Sequence, residues 1–224
     1  MFPLKDNLGS DRLPIVTLLL IAANVAIYFL VQGGGIAHGP SEGQVVDVEG
    51  GIAEVCAALA ASLFLHGGLL HLLANMLFLW ILGSTVEDSM SRWRYLLFYL
   101  GGGLAAVALQ LAVASGPAVP TLGSSGALAG VVGGYLLLYP RARVVSIVFV
   151  VLLFTLVELP VWLLIALWVA EQAAVGATSL GHVADAAGAV TWLAQAGGLL
   201  FGVLAIKLFA DRRKQVPSRV KVAA

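Results

Sequence analysis

The chain has 224 residues, of which 60% are hydrophobic and 11% charged, with zero formal net charge and a mean hydropathy of +0.99. Soluble domains carry about 25% charged residues, so a water-soluble globular fold is excluded, and the balanced charge gives no reason to expect a nucleic acid partner. The single cysteine, Cys56, has no partner for an internal disulfide.

Taken in chain order, the apolar segments fall at about 13–32, 66–86, 94–114, 123–139, 157–174 and 187–209. Each approaches the ~20 residues that a membrane crossing needs. Leu13 to Gln32 is long for a signal peptide, and no small-x-small cleavage site follows it, so it reads as a retained span. Residues 33–65 form the longest connection. They start with the loop-like GGGIAHGPSEG, and the part from Ile52 to Leu65 is expected to be a short interfacial or re-entrant helix. After the third segment, Ser115, Gly116, Pro117 and Pro120 break the apolar run. The helix restarting near Gly123 has only about 17 residues before Pro140, so it is expected to begin below the external surface, after a loop that dips to membrane depth. The apolar stretch 144–156 precedes Glu158 and Pro160 and is expected either to lie in the interface or to extend the fifth span.

Charge orients these spans. Lys5 and Arg12 precede the first; Arg92 and Arg94 follow the second; Arg141 and Arg143 follow the fourth; Lys207, Arg212, Arg213, Lys214, Arg219 and Lys221 follow the last. The alternate connections carry Glu42, Asp47, Glu49, Glu54, Glu171 and Asp185 but no Lys or Arg. Short cytoplasmic loops are the positive ones. The expected architecture is an all-α membrane protein of six transmembrane helices with both termini cytoplasmic. Residues 1–12 form a cytoplasmic segment, 13–210 the membrane domain and 211–224 a basic cytoplasmic tail.

Small residues recur every four positions, as Gly126, Gly130 and Gly134 in the fourth span and Ala194, Gly198 and Gly202 in the sixth. Such faces let helices approach closely, so these two spans are expected to pack together; the alternative is that glycine, with 26 copies, is simply common here.

Polar residues within apolar spans carry the candidate chemistry. Ser124 and Ser125 stand in GSSG where the fourth span starts. Either can cap the helix, or serve as a nucleophile near helix N-terminal N–H groups. His66, His71 and Asn75 open the second span in HGGLLHLLANM. His71 and Asn75 share a face, as a packing stripe or as donors to a developing oxyanion. The two histidines do not share a face and no third ligand is apparent, which disfavours zinc. Gln195, in WLAQAGG, can hydrogen-bond but cannot take a proton. A proton relay through Glu158 alone is a weak alternative.

Together these segments resemble the rhomboid family of intramembrane serine proteases. FLHGGLLHLLANMLFLWILGSTVED is similar to the family's second-span signature, SRWRYLLFYLGGG to its third-span entry, VPTLGSSGALAGVVGGYL to its nucleophile motif and TWLAQAGGLLFG to its sixth-span signature. The resemblance runs from about Phe64 to Gly202. It implies a six-helix fold with a water-filled site, a serine–histidine dyad that cleaves in or near transmembrane segments of other proteins, and no metal or organic cofactor. By motif position Ser125 is the nucleophile, and Asn75, His71 and the Ser125 backbone N–H are the oxyanion donors; His66 matches the earlier histidine.

The chain departs from the family pattern at the base, where Gln195 stands in place of histidine before Ala196-Gly197-Gly198. The family also commonly has alanine where Ser124 stands, and a Trp-Arg pair in the first loop that residues 33–65 lack. A serine hydroxyl needs a neighbouring base, and a carboxamide is none. His182 folding inward, or His71 leaving its oxyanion role, are the alternative bases. The resulting reading is an intramembrane serine endopeptidase scaffold impaired by Gln195; the alternative is a pseudoprotease that binds transmembrane clients. A transporter or channel would call for inverted repeats or intramembrane charge. The expected partners are transmembrane segments and the lipid bilayer. The Ala- and Gly-rich composition without targeting extensions points to a bacterial plasma membrane.

Overall fold

The structure, a computed structural model, describes residues 2–8, 10–33, 45–47, 62–66, 68–113, 118–120, 124–150, 153–179 and 186–211. Most of the expected helix over 52–65 lies outside them, as does His182. Six helices are described: α1 (Ile15–Leu30), α2 (Leu69–Asp88), α3 (Arg92–Val113), α4 (Ser124–Leu138), α5 (Val161–Ser179) and α6 (Ala186–Phe209). Of these, α2 and α3 are long and apolar enough to cross a membrane, while α1 and α4 are apolar but shorter.

The expectation of an all-α fold is corrected by five strands, β1 (Phe2–Asp6), β2 (Val45–Asp47), β3 (Ala118–Pro120), β4 (Arg143–Val150) and β5 (Leu153–Pro160). The stretch 144–156 is neither an interfacial helix nor part of α5. It forms most of an antiparallel β4–β5 hairpin, and β1 pairs with β4 to complete a three-stranded sheet. Val144, Val145, Ile147, Val148 and Val150 are β-branched residues that favour the pleated state. The helix expected from 157 starts at Val161 because residues before proline are held extended. Glu158, opposite Val145 in the register, reaches diagonally across the hairpin to Arg143, 3.8 Å away, with both side chains more than half exposed. It is a surface ion pair and not a proton relay. A second small sheet pairs β2 with β3, joining the long first connection to the loop before α4.

Two buried carboxylates tie the helices together. Glu87, near the end of α2, accepts the Val16 N–H at 3.0 Å, the Thr17 N–H at 2.8 Å and the Thr17 hydroxyl at 2.8 Å. It therefore satisfies the orphan donors at the start of α1 and places negative charge at the positive end of that helix. Asp6, from β1, accepts the Thr85 hydroxyl at 2.6 Å and the Tyr135 hydroxyl at 2.8 Å, pinning the N-terminal strand to α2 and α4.

The core contains Leu72, Leu79, Leu82, Tyr95, Phe98, Tyr99, Leu128 and Tyr135. α4 is its centre: every residue from Ser124 to Tyr135 is buried, as expected of a helix apolar on all sides. Around it the usual partition is inverted. Thr17, Asn24, Asn75, Glu87, Gln110 and Gln195 are buried, while Leu13, Leu19, Leu30, Leu70, Leu104, Leu204 and Leu208 are exposed. Apolar outside and polar inside suits a lipid solvent.

Candidate active site

The start of α4 is built on close helix packing. α4 contacts α6 and α3 most extensively. A Cβ on Gly198 would run into the Gly126 carbonyl, and one on Gly202 into the Gly130 carbonyl. From the α3 side, a Cβ on Gly102 would lie 3.2 Å from the Gly130 Cα. Backbone therefore meets backbone at three helices, which side chains larger than hydrogen would prevent. Gly134 faces the Phe98 ring and Ile206. Because Gly198 and Gly202 follow Gly126 and Gly130 in the same order, α4 and α6 run parallel. Ser125 precedes Gly126 by one residue and Gln195 precedes Gly198 by about one turn, so both lie at the same end of this seam.

Ser125 and Gln195 are both buried, and neither Ser125 Oγ nor Gln195 Oε1 has a hydrogen-bond partner among the described residues. Ser124 behaves differently. Its hydroxyl donates to the Leu65 carbonyl at 2.8 Å and accepts from Asn75 Nδ2 at 3.4 Å. The capping reading of these serines is thereby corrected: Ser124 reaches across to the loop before α2, and Ser125 bonds to nothing described. A hydroxyl left without a partner in a buried site departs from the usual pattern and stays available to a reactant or bound water.

Asn75 lies one turn beyond His71 on α2, and its Nδ2 is 3.1 Å from His71 Nε2. With the amide donating, Nε2 is the acceptor and the ring proton sits on Nδ1. Both described contacts of the Asn75 amide nitrogen are thus taken within the protein, by His71 and Ser124. The His66 and His71 rings stack edge-on at 5.5 Å, and His66 Nδ1 lies 3.1 Å from the Phe64 carbonyl. No group of three metal-ligating side chains occurs among the described residues.

Two contributors were not singled out from the sequence. Gln32, just past α1, donates to the His66 carbonyl at 2.9 Å and accepts the His66 N–H at 3.0 Å. Its amide copies a strand's pairing and fixes the segment carrying His66 and Leu65. A polar residue closing an apolar run was the available signal. Gly102 is the other; the GGG run at 101–103 signalled close approach but not which helix approaches.

A family model described as the Rhomboid domain matches residues 54–212. The chain is 31% identical over 103 residues to the mouse protein named presenilin-associated rhomboid-like protein, mitochondrial, covering 45% of this chain and 27% of that one. It is 30% identical over 131 residues to rhomboid protease GluP of Bacillus subtilis, covering 55% of this chain and 24% of that one. With rhomboid protein 1, mitochondrial, of Saccharomyces cerevisiae it shares 30% identity over 177 residues, covering 72% and 46%. The chain spans about a quarter of the length of the first of these relatives. No solved structure matches it significantly. Several relatives are mitochondrial by name, so the expected bacterial plasma membrane gains no support from them. The matched domain takes in the second-span, nucleophile and sixth-span segments alike, and the chain belongs to the rhomboid family of integral membrane proteins.

Proposed function

We propose that this protein is a six-span rhomboid scaffold, with both termini cytoplasmic, that holds transmembrane segments of other membrane proteins without cutting them. Residues 13–210 form its membrane domain, flanked by the cytoplasmic segment 1–12 and the basic tail 211–224. The observation that carries this reading is the pair Ser125 and Gln195, a buried alcohol with no base bonded to it and a carboxamide where a proton acceptor is needed. Peptide cleavage requires a group that removes the serine proton and returns it to the leaving amine. Gln195 does neither, and losing one member of such a pair costs on the order of 10⁴ to 10⁶ in rate.

The second reading is an intramembrane serine endopeptidase of low activity. It is favoured by the retained Ser125 at the start of α4 and by Asn75 and His71 beside Ser124, which would turn toward the oxyanion once substrate displaces their present contacts. No cofactor enters either reading, and the partners are transmembrane segments within the bilayer. The bacterial plasma membrane stays part of the proposal, on composition alone.

The test reconstitutes the chain with a single-span model substrate. The expected result is no cleavage by the unaltered protein, cleavage by Gln195→His, and none by the double variant Gln195→His, Ser125→Ala. Cleavage by the unaltered protein that Ser125→Ala abolishes establishes the second reading.

A further inference from the structure

At the end of the bundle where α1 begins and α2 meets α3, a cavity of about 540 Å³ opens, within the roughly 300–1,000 Å³ of small-ligand pockets. Arg12 reaches it from the segment before α1, and Arg92 from the first position of α3. Both arginines are exposed, and neither forms an ion pair among the described residues. Two guanidinium groups outside any described ion pair on one cavity suit phosphate oxygens, which match their planar donor forks.

The cavity is not simply basic, because Glu87 and Asp88 also line it. Glu87 is committed to the start of α1. Asp88 accepts the Asp11 N–H through Oδ2 at 3.2 Å, while its Oδ1 is buried and has no hydrogen bond among the described residues. Oδ1 is closed off from the cavity, so the acceptor Asp88 offers an occupant that brings an N–H group is Oδ2, through the lone pair that Asp11 leaves open. Arginines beside a carboxylate on one cavity match a ligand carrying both a phosphate and a primary ammonium. Trp93, 67% exposed at the second position of α3, lines the same cavity. Exposed tryptophans at helix ends sit at headgroup level in a bilayer. The site is distinct from the serine cluster: Asn75 stands near one end of α2 and Asp88 at the other, about 20 Å along the axis at 1.5 Å per residue.

We propose that this cavity binds a zwitterionic phospholipid headgroup of the phosphoethanolamine type, with Arg12 and Arg92 on the phosphodiester and Asp88 on the ammonium. The lipid would then join the start of α1 to the α2–α3 turn.

The test is lipid retention by the purified full chain in native mass spectrometry, with phosphatidylethanolamine, phosphatidylcholine and phosphatidylglycerol offered in equal amounts. Phosphatidylethanolamine is expected to be retained about tenfold better than either of the others, the size of one charge-assisted hydrogen bond. Arg12→Ala and Arg92→Ala should each lower the retention of all three lipids, which share the phosphodiester, and Asp88→Asn should erase the preference for phosphatidylethanolamine over the other two. Arg141→Ala, at an exposed arginine on a separate cavity, should change neither the overall retention nor the preference. Equal retention of the three lipids, or retention indifferent to Arg12 and Arg92, overturns the proposal. Soluble phosphoethanolamine bound as tightly as the lipid also overturns it, since a free ester and not a lipid would be the occupant.

Discussion

Ser124 and Ser125 are adjacent and chemically identical, yet their surroundings give them opposite roles. Ser124 joins α4 to the Leu65 carbonyl and to Asn75. Ser124→Ala should therefore cost about 1 kcal/mol, since it removes the hydrogen bond to a part-buried carbonyl, read as a lower unfolding midpoint in detergent. Ser125→Ala removes a hydroxyl with no described partner and should leave that midpoint unchanged or slightly raised. The same contrast extends to reactivity. A fluorophosphonate probe should fail to label the unaltered chain and should label Gln195→His at Ser125, because only an imidazole supplies the basicity that activates an alcohol. In the bare sequence the GSSG motif allows capping or chemistry for either serine. What separates them is a carbonyl 59 positions away, which local pattern does not disclose.

At the level of the helices, the glycine seam sets how deeply α4 is held. The four-residue spacing in α4 and α6 was enough to expect their contact, because it follows from helical periodicity. The contribution of Gly102 from α3 was not, since its partner is set by three-helix packing. Gly198→Ala drives a methyl group into the Gly126 carbonyl, which is backbone and cannot turn aside. The expected cost is about 1–3 kcal/mol or more. Gly101→Ala instead meets the tip of the Phe201 ring, which can rotate away, and should cost less in the same melting experiment. Glu87→Gln keeps the shape but replaces one acceptor with a donor facing an N–H group at the start of α1. A loss of about 2 kcal/mol is expected for hydrogen bonds to a charged group. The apolar stretch 144–156 was ambiguous for a physical reason. Short apolar runs suit a buried helix or a buried strand equally, and the strand wins here because β1, far away in sequence, supplies a pairing partner.

Across the whole molecule, orientation rests on where the positive charges fall. In a Cys56→Ser background, cysteines placed at Lys5 or Lys207 should react with an impermeant thiol reagent only from the cytoplasmic side, and one at Glu42 only from the opposite side. Labelling of all three from one side would overturn the six-span topology. Solvent class, helix positions to within a few residues, family membership and the absence of an imidazole at position 195 were all legible in the chain, because each depends on local composition or periodicity. The sheet, the burial of α4 on every face, the anchoring of α1 by Glu87 and the division of labour between Ser124 and Ser125 were not. Each depends on groups far apart in sequence meeting in space, and a buried hydroxyl's chemistry is set by the neighbours that folding brings to it.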